Sequence, residues 1–169
     1  MSYNADKNKD ANFFSKVRKM KTKLNLWQTR DLMLFGKSVL AKTPGASQLV
    51  YTASLITVPD AVTRAAQSLL FSILWKYMKD KIKRNVVCQP LENGGLNFIN
   101  FDIIVKSLRL AWIARLISNS DDNWKAIPNF FFDKYGGLPF LLKCNYNTAT
   151  LDNNLSSFYR ELLDYFQIR

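Results

Sequence analysis

Histidine is absent from this chain of 169 residues, and cysteine occurs only twice, at Cys88 and Cys144. Without imidazole the chain lacks the commonest general base and the commonest transition-metal ligand, and two thiols alone cannot close a zinc site. A lone cysteine pair without an export signal reads as two reduced, partly buried thiols. No apolar run approaches the ~18 residues that a bilayer crossing needs. Residues 1–12 are polar and lack a hydrophobic signal region, so the expectation is a soluble, intracellular protein. Glycine is scarce. The Gly94-Gly95 pair lacks the strand-loop-helix setting and the Lys-Ser/Thr ending of a phosphate-binding loop, which leaves a turn as its reading.

What is present is apolar and basic. With 48% hydrophobic and 22% charged residues the composition is that of a globular protein. A chain of this length can bury roughly 70% of its unfolded surface, enough for a core in one domain or in one domain with a small appendage. Acidic residues are few where basic ones are many: residues 1–90 hold sixteen Lys/Arg and five Asp/Glu, whereas residues 91–169 hold eight of each. The entire net charge of +11 therefore lies in the first half. Clustered cations suit a polyanionic partner, because phosphate contacts release condensed counterions, and they equally suit the solvated surface of a basic protein.

Residues 1–11 are polar and expected to be disordered. Phe13, Phe14, Val17, Met20, Leu24 and Trp27 recur at helical spacing with Lys16, Arg18, Lys19, Lys21 and Lys23 around them, the pattern of a basic amphipathic helix. Such a helix suits nucleic acid, an anionic membrane or neither. Asp31 is placed to cap a second helix with Leu32, Phe35, Val39 and Leu40 inward and Lys37 and Lys42 outward, which Pro44-Gly45 should break or kink. A third helix runs from Asp60 to Tyr77 through Val62, Ala65, Ala66, Leu69, Leu70, Ile73 and Leu74, and Lys76, Lys79, Lys81, Lys83 and Arg84 suit its C-terminal end. Val86-Val87-Cys88 and Leu96 to Ile99, separated by a turn, suggest a short β-hairpin or an irregular loop. Asn100 or Asp102 starts a fourth, central helix with Ile104, Leu108, Ala111, Trp112 and Leu116 on its inner side. Shorter helices follow from Trp124 to Lys134 and from Ser156 to Ile168, with a polar loop at residues 145–154.

The segment Trp27-Gln28-Thr29-Arg30-Asp31-Leu32-Met33-Leu34-Phe35-Gly36-Lys37, followed by Leu40, Lys42 and Leu49-Val50-Tyr51, resembles the region just after the polymerase palm in reverse transcriptases of non-LTR (LINE-type) retrotransposons. That family's pattern reads Trp, a basic residue, Leu, Gly-Arg/Lys, Leu, Lys and an apolar run into Tyr. Further landmarks follow in the same order: Val58-Pro59-Asp60, Phe71-Ser72-Ile73-Leu74-Trp75, Glu92-Asn93-Gly94-Gly95-Leu96, and Lys106 through Trp112. The resemblance runs from about Lys16 and thins after Pro128. Pro44-Gly45 departs from it, since the family usually has apolar residues there.

The resemblance implies a thumb-and-connector segment of an RNA-directed DNA polymerase without its catalytic palm. Its partners would be an RNA/DNA template-primer duplex and the remainder of the polymerase, with no membrane. The residues it implies for backbone contact are Lys16, Lys19, Lys23, Arg30, Lys37 and Lys42, with Lys79, Lys81, Lys83 and Arg84 as a second patch. Polymerisation needs carboxylates that hold two magnesium ions about 4 Å apart. Asp121-Asp122 is the one adjacent acidic pair, and without flanking apolar strands it reads as a helix-capping turn. No catalytic residue, metal ligand or cofactor is therefore expected in this chain, magnesium belonging to the missing palm. Trp27, Trp75 and Trp112 could stack on bases, but each lies on the apolar side of its helix, which favours core packing.

The expected fold is mainly α: a thumb-like bundle of about five to seven helices with one possible short hairpin. It is organised as a disordered stretch at 1–11, a basic helical region at 12–90 and a neutral helical connector at 91–169. Two other readings stay open on helical spacing and charge, a protein-interaction or scaffold module and a free-standing DNA-binding domain. Against the latter, no short helix-turn-helix unit carries Asn, Gln and Arg together on one exposed face.

Overall fold

The computed structural model describes residues 5–76, 78–120, 122–148, 151 and 155–167, with side chains from residue 12 onward. The protein is mainly α-helical, and no strand occurs among the described residues. Contacts divide it into two compact units, Met1–Val105 and Lys106–Arg169.

The first unit is built on α1, Ala5–Gln28. Its helical repeat sends Phe13, Met20 and Leu24 into the core. Phe14 follows Phe13 directly, so the helix carries it about 100° away and leaves it 48% exposed. Phe14 is therefore not part of the buried stripe. The helix begins at Ala5, where disorder was expected through residue 11; neither Gly nor Pro occurs in residues 5–11 to stop it propagating.

The next three elements form one continuous helical run: α2 (Leu34–Leu40), a π-helical turn (Ala41–Ala46) and α3 (Ser47–Leu55). Pro44 does not break it. A proline ring crowds the carbonyl four residues back and offers no N–H, and the wider i→i+5 winding gives that ring room. Gly45 serves close packing. A Cβ built there would lie 3.0 Å from Leu70 Cδ2 and 3.4 Å from Leu24 Cδ2.

The start and inner face of this run also differ from expectation. Met33, not Asp31, holds the position before α2, without a side-chain cap. Over residues 34–41 the buried residues are Ser38 and Ala41, while Phe35 and Val39 are exposed. Small side chains allow the close approach that lets Ser38 Oγ donate to the Leu96 carbonyl at 3.4 Å.

Helix α4, Asp60–Leu74, has the amphipathic pattern read from its sequence and buries Val62, Ala66, Leu70, Phe71, Ile73 and Leu74. Pro59 takes the cap position; Asp60 sits in the first turn, where its charge complements the helix dipole. Tyr77, the expected end of this helix, lies outside the described residues.

The suggested β-hairpin is absent among the described residues. Arg84–Cys88 forms a short helix, α5, and residues 89–100 fold back over its end without a ladder. Val87 O accepts from Leu96 N at 3.0 Å and Phe98 N at 3.2 Å, and Gln89 O accepts from Asn97 N at 2.8 Å. Turn geometry at Gly94 (φ 77°) and Asn97 (φ 47°) satisfies these groups locally, so the β-branched pair Val86-Val87 has no partner strand to extend along.

Helix α6, Phe101–Ile117, begins as expected, with Asn100 Oδ1 accepting from Asp102 N at 3.1 Å. Gln67 on α4 fixes that start by donating to the Ile99 carbonyl at 3.3 Å and accepting from Phe101 N at 2.6 Å. The inner face is displaced by about one residue from the expected one. Phe101, Val105, Arg109, Ile113 and Leu116 are buried, whereas Ala111 is exposed. A pattern that follows polarity avoids Arg109, and Arg109 is fully buried.

In the second unit a 3-10 turn (Asn123–Lys125) leads into α7 (Ala126–Asp133); Gly136 and Gly137, both at positive φ, then turn the chain into α8 (Leu138–Lys143). Helix α9, Ser157–Gln167, closes the unit near its expected position, whereas α8 was not anticipated. Ile113, Leu116, Phe132, Leu138, Leu141, Leu162 and Leu163 make the core. The polar loop is described only in part; Thr148 donates to Asp164 Oδ1, and Tyr146 beside it is pushed up to about 12 by burial and then by the charges of Asp164 and Cys144.

Asp122 takes the position before the 3-10 turn, as a capping turn would place it, but without a side-chain cap hydrogen bond, while Lys125 closes the end of α6. Its ammonium donates to the carbonyls of Ser118 and Ser120 at 2.6 and 2.7 Å and has both of their hydroxyl oxygens at 3.0 Å for its remaining N–H. Asp122 lies 3.9 Å from Lys125 Nζ; Asp121 lies outside the described residues. Only 7% of Lys125 is exposed. Lys125→Met should therefore cost about 2 kcal/mol in urea unfolding, because two carbonyls lose a charged donor; a change below about 0.5 kcal/mol, typical of surface sites, would contradict this role.

Cys88 and Cys144 are free and half-buried, as expected, and burial pushes the Cys88 thiol up. No helix among the described residues is long and apolar enough to cross a membrane.

Candidate nucleic-acid interface

All ten cations singled out from the sequence lie in the first unit. Lys16, Lys19 and Lys23 stand at i, i+3 and i+7 on α1, so the helix places them in one row beside the buried stripe. Lys19 and Lys23 are exposed and Lys16 is half-buried. At the end of α1, Arg30 is exposed and its guanidinium lies 4.7 Å over the half-buried Trp27 ring. The indole stiffens the cation without hiding it.

Lys42, in the π-helical turn, is half-buried. Lys37, expected to point outward, is half-buried too; its Nζ donates to the Leu74 carbonyl at 3.2 Å, at the negative end of α4. Lys79, Lys81 and Lys83 are exposed in the segment between α4 and α5. Arg84 is more committed. Its Nε donates to Asp80 Oδ2 at 2.7 Å, and its guanidinium lies 4.8 Å over Phe71.

The two sequence patches come together at one place. A cleft of about 440 Å³ is lined by Leu34 and Lys37 from α2, Leu74 at the end of α4, and Trp75, Lys76, Met78 and Lys81 beyond it. Lys37 and Lys81, distant in sequence, thus share one cavity with Lys76, which was read only as part of a charge run at a helix end. Lys76 ends α4 in the left-handed region (φ 49°), and its Nζ donates to Asp31 Oδ1 at 3.2 Å. No glycine or asparagine marks that turn, so its geometry was not legible.

Trp75 and Trp112 pack as expected, whereas Trp27 is half-buried. Trp75 is buried, and Trp112 meets Trp124 and Phe158 edge-on at 5.6 and 5.8 Å with Arg115 4.8 Å over its ring. Among the described residues, no three carboxylates or thiols gather in a way that could hold a metal ion. What the first unit offers is long cations on a rigid helical frame, the chemistry of phosphate contact without base reading. Comparison with known proteins gives no match to a family model, to a curated protein or to a solved structure.

Proposed function

We propose that the chain binds the backbone of a nucleic-acid duplex through its first unit, as a non-catalytic thumb-and-connector segment of an RNA-directed DNA polymerase of the non-LTR retrotransposon type. The observation that carries the binding reading is the placement of the whole +11 excess in residues 1–90, with Lys19, Lys23, Arg30, Lys79, Lys81 and Lys83 exposed there. Support for the polymerase assignment is the ordered run of motifs from Trp27 to Trp112. The duplex fits because phosphate contacts need positioned cations and no base-edge donors or acceptors. Magnesium and the catalytic carboxylates would belong to a palm supplied by the rest of the polymerase.

Titration with an RNA/DNA hybrid at several salt concentrations tests this directly. If about four phosphates are neutralised, log affinity against log salt should slope at roughly −3 to −4. Scrambled duplexes should bind equally well. A flat salt response would remove the proposal.

Exposed apolar side chains in the second unit, Ile127 beside Trp124 with Phe130 one turn further along α7, favour a second reading, a helical protein-interaction module. In the polymerase reading those side chains would meet the remainder of the polypeptide.

A further inference from the structure

We infer that the cleft between α2 and the end of α4 takes a single nucleotide of an unpaired strand, its phosphate held by Lys37, Lys76 and Lys81 and its base laid against Leu34 and Met78. The class of ligand rests on the nucleic-acid reading above; the site itself adds a grip on a base. Its volume, about 440 Å³, falls in the range of roughly 300–1,000 Å³ typical of small-ligand pockets.

Three features of the lining fit this ligand. The first is cationic capacity. Lys37 Nζ gives one donor to the Leu74 carbonyl and retains two, since an ammonium carries three. Lys76 reaches only a highly exposed Asp31 carboxylate, and such a surface pair is weak enough for a phosphate to displace it. Lys81 is exposed at the rim.

The second feature is the Trp75 indole, which lines the cleft with only 7% of the residue exposed and its N–H enclosed without a hydrogen-bond partner. A ligand laid in the cleft changes the surroundings of this ring, so the enclosed N–H reports occupancy. The third is apolar surface set among the cations: Met78 is 69% exposed and Leu34 is 37% exposed. Phosphate alone gains nothing from these side chains. A base face does, and methionine adapts to flat surfaces.

The chain holds four tryptophans, so a nitrogen-15 spectrum resolves four indole N–H resonances, and W75F assigns that of Trp75. Titrating the full chain with AMP should shift the Trp75 resonance saturably. Ribose 5-phosphate and inorganic phosphate should bind at least about tenfold more weakly, because they lack the base. K81Q, a change at an exposed residue that keeps the fold, should weaken AMP at least about tenfold through one lost charged contact. An unmoved Trp75 resonance, equal affinity for AMP and inorganic phosphate, or an unaffected K81Q would each overturn the inference. Hybrid binding measured on the same sample separates the two ideas: a saturable AMP response without duplex binding refutes the proposed function alone, and duplex binding without an AMP response refutes the nucleotide site alone.

Discussion

Replacing Arg109 with alanine should destabilise the second unit by about 3–5 kcal/mol, the cost of breaking a buried ion pair from one side. Arg109 is fully buried, its Nε stands 3.4 Å from Glu161 Oε2, and its guanidinium lies 4.6 Å over the Phe158 ring. Both partners sit on α9, so the arginine ties α6 to the helix that closes the unit. At that distance the pair is a charge contact more than a short hydrogen bond. Truncation would leave the Glu161 carboxylate, with only 13% of its side chain exposed, without its cation, and would open a void beneath Phe158. The double variant R109M/E161L should recover most of the loss, because apolar side chains of similar volume need no desolvated charge. Exposed Arg115 is the control, with an expected loss below about 1 kcal/mol on truncation. Urea unfolding followed by circular dichroism reads all of these. A loss at Arg109 no larger than at Arg115 would mean that the pair does not hold α9.

The second large effect is expected at Gly95, which has less conformational need for glycine than its neighbour and far less space. A Cβ at Gly95 would sit 2.0 Å from the Gln89 carbonyl oxygen and 2.5 Å from its carbon. Both are backbone atoms and cannot swing away. Gly94, at φ 77°, has nothing within 4 Å of its added Cβ. G94A should therefore cost only the left-handed backbone penalty, about 1–2 kcal/mol. G95A should cost about 3 kcal/mol or more, since overpacking against backbone moves the loop that bonds Val87 and Gln89. The same loop supplies the carbonyl to which Ser38 donates, so the loss should spread to α2. G95A no worse than G94A in thermal unfolding would contradict the close approach.

These two sites mark the boundary of what the sequence made legible. Helices α4 and α9 were readable because their apolar residues keep a clean period, and Asn100 was readable as a start because its side chain bonds the first turn locally. Arg109 and Ser38 were not, since each places a polar group on an inner face and meets a partner distant in sequence. Val86-Val87 looked extended by propensity, but sheet propensity has no force without a second strand. Pro44 looked like a breaker because the pattern of residues does not announce a π turn. Within the candidate interface, the row Lys16, Lys19 and Lys23 follows from helical spacing alone, as does the charge of the segment at residues 79–84. The meeting of Lys37 with Lys76 and Lys81 depends on how α2 packs beside the end of α4, which no local signal encodes.

The most direct test of the account asks whether location or net charge drives binding. Two double reversals change the charge equally: K19E/K23E on α1 in the first unit, and K134E/K143E at exposed lysines in the second. Affinity for an RNA/DNA hybrid is measured for each across a salt series. K19E/K23E should lose at least about tenfold in affinity with a salt slope shallower by about 2, as two phosphate contacts vanish, while K134E/K143E stays close to wild type in both. Equal losses from the two pairs would show that only total charge matters and would contradict an interface on the first unit.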